Sequence, residues 1–212
     1  MVAPQDHEYT VMGGTNRANV GRLLALAASG ISGALVFVVL AAVDLAKKLG
    51  WNANLPPTVM SLVGAGAVFG LLYWVLNKWA WKWPGIGMAL KVPDISGTWD
   101  CMGKTLKEDG TTKFDWQAEI TIVQSWDKLR IRLKTKQSGS NSVSAALSHD
   151  SVDGFVLLYH YRNDPRADAV ELSSHTGCCV MTIAQDLQTA TGDYFNGKGR
   201  MTFGTMDWKK RP

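Results

Sequence analysis

Few residues in this chain could do nucleophilic, acid–base or metal chemistry: Cys101, Cys178 and Cys179, with His149, His160 and His175. On a strand, adjacent Cys178 and Cys179 point to opposite sheet faces. His175 with Cys178 could open a metal site, but no second ligand pair follows to complete a tetrahedral set. These three of the four histidines have no nucleophile partner visible in the sequence, and the carboxylates are scattered rather than paired. Walker loop, G-x-S-x-G elbow and H-E-x-x-H are all absent. Gly64, Gly66 and Gly70 come close to a dinucleotide fingerprint, yet they stand inside a long apolar run, where small residues serve helix packing. The expectation is a binding protein and not an enzyme, with no metal and no cofactor.

The elements that would position a binding site fall into two parts. Of 22 Lys and Arg and 18 Asp and Glu, residues 1–93 hold seven basic (Arg17, Arg22, Lys47, Lys48, Lys78, Lys82, Lys91) and three acidic (Asp6, Glu8, Asp44). The net +4 of the chain therefore belongs to the first part, and residues 94–212 are neutral. Polymeric nucleic acid is not an expected partner, because it demands a clustered cationic excess.

In the first part, 21 uncharged residues lie between Arg22 and Asp44. As a helix they span about 31 Å at ~1.5 Å per residue, matching a bilayer core of about 30 Å. A second uncharged run of 29 residues lies between Lys48 and Lys78, behind a polar connector with Asn52, Asn54, Pro56 and Pro57. This pattern predicts a two-helix transmembrane hairpin, about 21–46 and 57–79. Trp51 in the connector and Trp74, Trp79, Trp81 and Trp83 at the far end suit headgroup belts. Arg17, Arg22, Lys78, Lys82 and Lys91 lie on one side of the hairpin, so both termini and the second part are expected in the cytoplasm. Ala25, Ser29 and Gly33, then Gly66 and Gly70, stack small residues at four-residue spacing. That face packs either the two helices within a chain or one chain on another.

After Pro93 the period changes. Phe114, Trp116, Ala118, Ile120 and Ile122 alternate with polar residues, as do Leu129, Ile131 and Leu133. Further runs, among them Gly97–Lys104, Gly154–Arg162, Ala169–Ser174 and Arg200–Trp208, are separated by turn residues such as Asp109-Gly110, Asp153-Gly154 and Asn196-Gly197. The fold class is therefore a membrane protein, α plus all-β: a helical hairpin followed by an antiparallel β-barrel of eight to nine strands. Closure leaves no exposed edge, and a barrel of this size has room for one small ligand. The expected divisions are a tail at 1–19, the helices at 20–83, a linker at 84–96 and the barrel at 97–212.

VPDISGTWDCMG (Val92–Gly103) sets Gly97-Thr98-Trp99 on the first barrel strand, and TGDYFNGKGRMTFGTM (Thr191–Met206) carries Gly192, Tyr194, Asn196, Arg200 and Gly204. With the two spans, the chain resembles the two-transmembrane β-barrel effectors associated with cGAS/DncV-like nucleotidyltransferases in the antiphage systems called CBASS. The resemblance implies that the barrel senses a cyclic dinucleotide made during phage infection. Binding would promote homo-oligomerisation, and the helices would then disrupt the bacterial inner membrane and kill the cell. A cyclic dinucleotide offers two bases to stack on aromatic rings and two phosphates suited to Arg. Candidate stackers are Trp99, Tyr159, Tyr161 and Tyr194. Candidate phosphate ligands are Arg130, Arg132, Arg162 and Arg200, with Asn196 reading a base edge. Against these roles stand barrel-core positions for Trp99, Tyr159 and Tyr161, and a solvated outer face for Arg130 and Arg132. Gly-x-Trp also opens lipocalin-type barrels, which leaves a tethered barrel for a lipid, or a ligand-independent scaffold or channel, as alternatives.

Overall fold

The computed structural model describes residues 5–52, 54, 60, 64–165, 174–197 and 200–212. These divide into two compact units. One is helical, Thr15–Trp81, and the other holds the described residues up to Gly14 together with those from Lys82 onward.

In the helical unit, α1 (Arg17–Lys48) starts at Asn16, whose side chain accepts a hydrogen bond from the Ala18 amide at 2.8 Å. It closes on Lys47 and Lys48, cations that suit the negative end of a helix. At 32 residues it is about 48 Å long and, among the described residues, it is the one helix long and apolar enough to cross a bilayer. Leu23, Leu26, Phe37 and Val38 stand exposed along it. It packs on α2 (Ala65–Lys78), a shorter helix whose expected beginning near residue 57 lies outside the described residues. Beyond α2, Trp79 and Trp83 are exposed as belt residues should be, whereas Trp81 is buried.

Among the described residues, the small-residue face lies outside the contact between these two helices. The buried positions of α1 are Val20, Ala28 and Ser32, while Ala25, Ser29 and Gly33 are exposed. A Cβ added to Gly33, Gly66 or Gly70 would meet no described residue within 4 Å.

The second unit begins with β1 (His7–Met12), a strand inside the residues expected to form a tail. The expected linker contains a short helix, α3 (Pro84–Leu90), with proline at its start and Lys91 in the left-handed region (φ 55°) at its end. Then follow β2 (Gly97–Leu106), β3 (Thr112–Gln124), β4 (Lys128–Lys134), β5 (Ser138–Asp150), β6 (Gly154–Pro165), β7 (His175–Ile183), β8 (Thr189–Asn196) and β9 (Phe203–Lys210). The nine strands close into a ring in the order β1-β4-β3-β2-β9-β8-β7-β6-β5. The sheet is mixed, not wholly antiparallel, because β1 runs parallel to β5 (Tyr9 opposite Ala145, Met12 opposite Ser148). More than a hundred residues separate these two strands, so no hairpin dictates their relative direction. The strand expected at 169–174 lies, except for Ser174, outside the described residues.

Alternation determines which side chains point inward. Trp99, Cys101 and Thr105 of β2, Leu129, Ile131 and Leu133 of β4, and His175, Cys179, Met181 and Ile183 of β7 are buried. One end of the ring is filled. There Trp99 is fully buried, donates its indole N–H to Ile95 O at 3.1 Å and meets Trp208 edge-on at 6.2 Å. Lys210 Nζ covers its ring at 5.5 Å.

Candidate functional site

Toward the other end, where β2 and β6 finish, the packing stops short and leaves a cavity of about 520 Å³. That volume lies within the range of roughly 300–1,000 Å³ usual for small-molecule sites.

Three hydrogen-bonded groups shape its wall. Trp116 of β3 donates its indole N–H to the Tyr194 hydroxyl of β8 at 3.3 Å, and that hydroxyl lies 2.7 Å from Thr105 Oγ1 of β2. Trp116 and Tyr194 meet edge-on, with centroids 5.6 Å apart. Opposite Trp116 in the register is Gly103, where any Cβ would collide with the indole, so glycine makes the space in which that ring lies. Gly177 does the same for Tyr161, whose hydroxyl donates to Asn196 Oδ1 at 2.9 Å. Asn196 Nδ2 donates in turn to Thr202 Oγ1 at 2.8 Å, which pins the loop carrying Arg200. That loop is wider than the tight hairpin expected of Asn196-Gly197: β8 ends at Asn196 and β9 begins only at Phe203. The third group is Asn163, almost wholly buried, whose Nδ2 donates to Ser138 Oγ at 3.3 Å while its Oδ1 has no partner among the described residues.

Charge is sparse and mixed. Of the described residues lining the cavity, Lys136 and Arg200 are cationic and Asp115 is acidic, with His175 buried beside them. Burial pushes the Tyr159 and Tyr161 phenols well above their usual range, so both remain neutral donors near neutral pH. It also pushes the Cys101 thiol up to about 12, and Cys179 further. Neither is a nucleophile at neutral pH. In the folded protein a maleimide is expected to label half-buried Cys178 and to reach Cys101 and Cys179 only after denaturation. Mass spectrometry of the labelled peptides checks this.

The structure brings together Tyr159, Tyr161, Tyr194, Asn196 and Arg200 around the cavity. It places the other candidates elsewhere. Trp99 belongs to the filled end. Arg130 and Arg132 lie on the outer face, where each guanidinium donates to Asn141 Oδ1, at 3.2 and 3.3 Å. Arg162 is exposed and paired with Asp164 at 3.2 Å. The sequence reading missed Thr105, Trp116, Lys136, Asn163 and His175 as lining residues. The signal for Trp116 was the alternation that puts it in phase with buried Ile120 and Ile122, and for Asn163 its phase with Tyr159 and Tyr161.

A family model described as "Cap15, cyclic dinucleotide receptor domain" matches residues 90–210, and one described as "Cap15, TM helices" matches residues 18–82. Among curated relatives, CD-NTase-associated protein 15 of Yersinia aleksiciae is 43% identical over 202 residues, covering 95% of this chain and 96% of the relative.

Proposed function

Because this chain belongs to the Cap15 family of CBASS effectors, we propose that its cyclic dinucleotide occupies the cavity bounded by Trp116, Tyr161, Tyr194 and Arg200. The observation that carries this reading is the union, in one half-closed cavity, of aromatic rings, an unpartnered buried amide oxygen and two cations at the rim. Stacking on Trp116 or a tyrosine contributes roughly 1–3 kcal/mol per base. Arg200 and Lys136 meet phosphate oxygens, and the Arg fork suits two at once. Asn163 Oδ1 accepts from an N–H on a base edge, and Asn196 supports Tyr161 while facing the same space. The apolar chain of a lipid would leave the Asn163 Oδ1 without a donor, which costs affinity.

In this reading the ring is a β-barrel with one end filled and one end receptive, and the two helices form a transmembrane hairpin. The bias of Lys and Arg to one side puts both termini and the barrel on the cytoplasmic side of a bacterial inner membrane. Ligand shifts the chain toward a homo-oligomer, which it can do only through higher affinity for the assembled state. The exposed small residues Ala25, Ser29, Gly33, Gly66 and Gly70 then let helices of neighbouring chains approach closely, and the crowded helices breach the bilayer.

Expression beside a nucleotidyltransferase that makes a cyclic dinucleotide tests this sequence of events. The wild-type chain is expected to arrest growth. A Gly70→Leu chain should fold, because that Cβ meets no described residue in the monomer, and should bind ligand unchanged, yet lose both assembly and arrest. Full arrest by Gly70→Leu would remove the small-residue face from the mechanism.

A further inference from the structure

The ring is closed in two different ways along one seam. At the cavity end β4 and β5 pair directly, Arg132 with Asn141, Leu133 with Ser140 and Lys134 with Gly139. Past Asn141, where the β5–β6 register also shifts between Ser142 and Ser144, the β4–β5 pairing ends and β1 fills the gap. His7 and Glu8 pair with Leu129 and Lys128, while Tyr9 to Met12 run along Ala145 to Ser148. The Ser142 hydroxyl marks the fork: it lies 2.7 Å from His7 Nε2 and accepts the Ile131 amide at 2.9 Å.

β1 is lightly held. Of its six side chains only Tyr9 is buried, and the Tyr9 hydroxyl donates to Ser125 O at 3.2 Å. The remaining hold is two more side-chain ties, His7 Nε2 to Ser142 Oγ at 2.7 Å and Gln124 Nε2 to the Tyr9 hydroxyl at 3.4 Å, and backbone pairing, all of which an identical strand would reproduce. Without β1, β4 at Lys128–Leu129 and β5 at Ala145–Ser148 would show unpaired edges, a template for another strand. Only residues 13–16, with Gly13 at φ +70°, separate β1 from α1. That connection reaches no more than about 18 Å, so a released β1 can reach only a close neighbour in the same membrane.

The other end of the seam touches the cavity. The turn from β4 to β5 contributes Thr135, Lys136, Gln137 and Ser138 to its lining. A ligand drawn against that turn acts on the strand pair whose far end grips β1. We propose that β1 is an exchangeable strand, released from its slot between β4 and β5 on ligand binding and taken up by the same slot in a second copy of this chain. The exchange restores every pairing in trans and needs no new surface, the usual economy of swapped elements. It rests on the assignment of the cavity to a cyclic dinucleotide.

Two variants, each with one added cysteine on a Cys178→Ser background that removes the reachable native thiol, test it. Thr10 and Ala146 face one another across β1 and β5, at exposed and half-buried positions. Thr10→Cys chains and Ala146→Cys chains are mixed in the same vesicles, titrated calorimetrically with cyclic di-GMP, cyclic di-AMP, cyclic di-UMP and cyclic GMP-AMP, and oxidised. The expected result is a covalent heterodimer, above the background of either variant alone, with whichever compound binds. A chain carrying both substitutions, oxidised before ligand is added, should bind that compound yet remain monomeric, and assemble again once reduced. Binding without a heterodimer would overturn the exchange and leave the cavity assignment standing. Equal heterodimer without any compound, or unhindered assembly of the locked double variant, would overturn it as well. If no compound binds, the cavity assignment falls and the exchange falls with it.

Discussion

Arg200→Ala should weaken cyclic dinucleotide binding by roughly 10- to 150-fold, the equivalent of one charge-assisted hydrogen bond of about 1.5–3 kcal/mol. Arg200 stands half-buried in the β8–β9 loop at the cavity rim, outside the ring's apolar core. Its loss therefore leaves the melting temperature nearly unchanged. Arg200→Lys keeps the charge but not the planar fork, and should recover part of the affinity. Because the contact is ionic and partly open to water, wild-type affinity should fall as salt rises, and the Arg200→Ala chain should show a shallower dependence. Calorimetric titration at two salt concentrations reads all three. An Arg200→Ala chain with wild-type affinity would move the phosphates elsewhere in the cavity.

Trp99→Ala has the opposite signature. Trp99 is fully enclosed between Ile95, Trp208 and the Lys210 side chain, so truncation removes a large apolar surface and strands the Ile95 carbonyl. Losses for buried tryptophan are about 3–5 kcal/mol, which for a domain of this size lowers the melting temperature by more than about 10 °C. The chain that remains folded should bind ligand with unchanged affinity. Denaturant unfolding and titration together separate the outcomes. A small stability change with a large affinity loss would make Trp99 a ligand contact after all.

The contrast between Trp99 and Trp116 shows how far the sequence could be read. Alternation fixes the phase of each strand, so that both tryptophans point inward, but phase does not say at which end of the ring a residue sits. That depends on register and shear between strands, which pair Trp99 with Ile120 and Gly103 with Trp116. The same gap explains the arginines. Arg130 and Arg132 alternate with Leu129, Ile131 and Leu133 and so face outward, a reading already open in the pattern. Arg200 follows Asn196-Gly197 between β8 and β9, where no alternation says whether a side chain faces the cavity. β1 was hidden for another reason. Its six residues stand directly before a membrane-length apolar run, and their pairing partners lie over a hundred residues away in β4 and β5. No local signal announces such a pairing. The long apolar helix, by contrast, needed no tertiary information, since a 21-residue uncharged run determines its own solvent.

The most direct measurement is a calorimetric titration of the full chain in lipid nanodiscs, with cyclic dinucleotides and, separately, with fatty acids. Saturable binding of a cyclic dinucleotide, lost or greatly weakened in Arg200→Ala and intact in Gly70→Leu, is the predicted result. Binding of fatty acids with no response to any cyclic dinucleotide would contradict the assignment of the cavity.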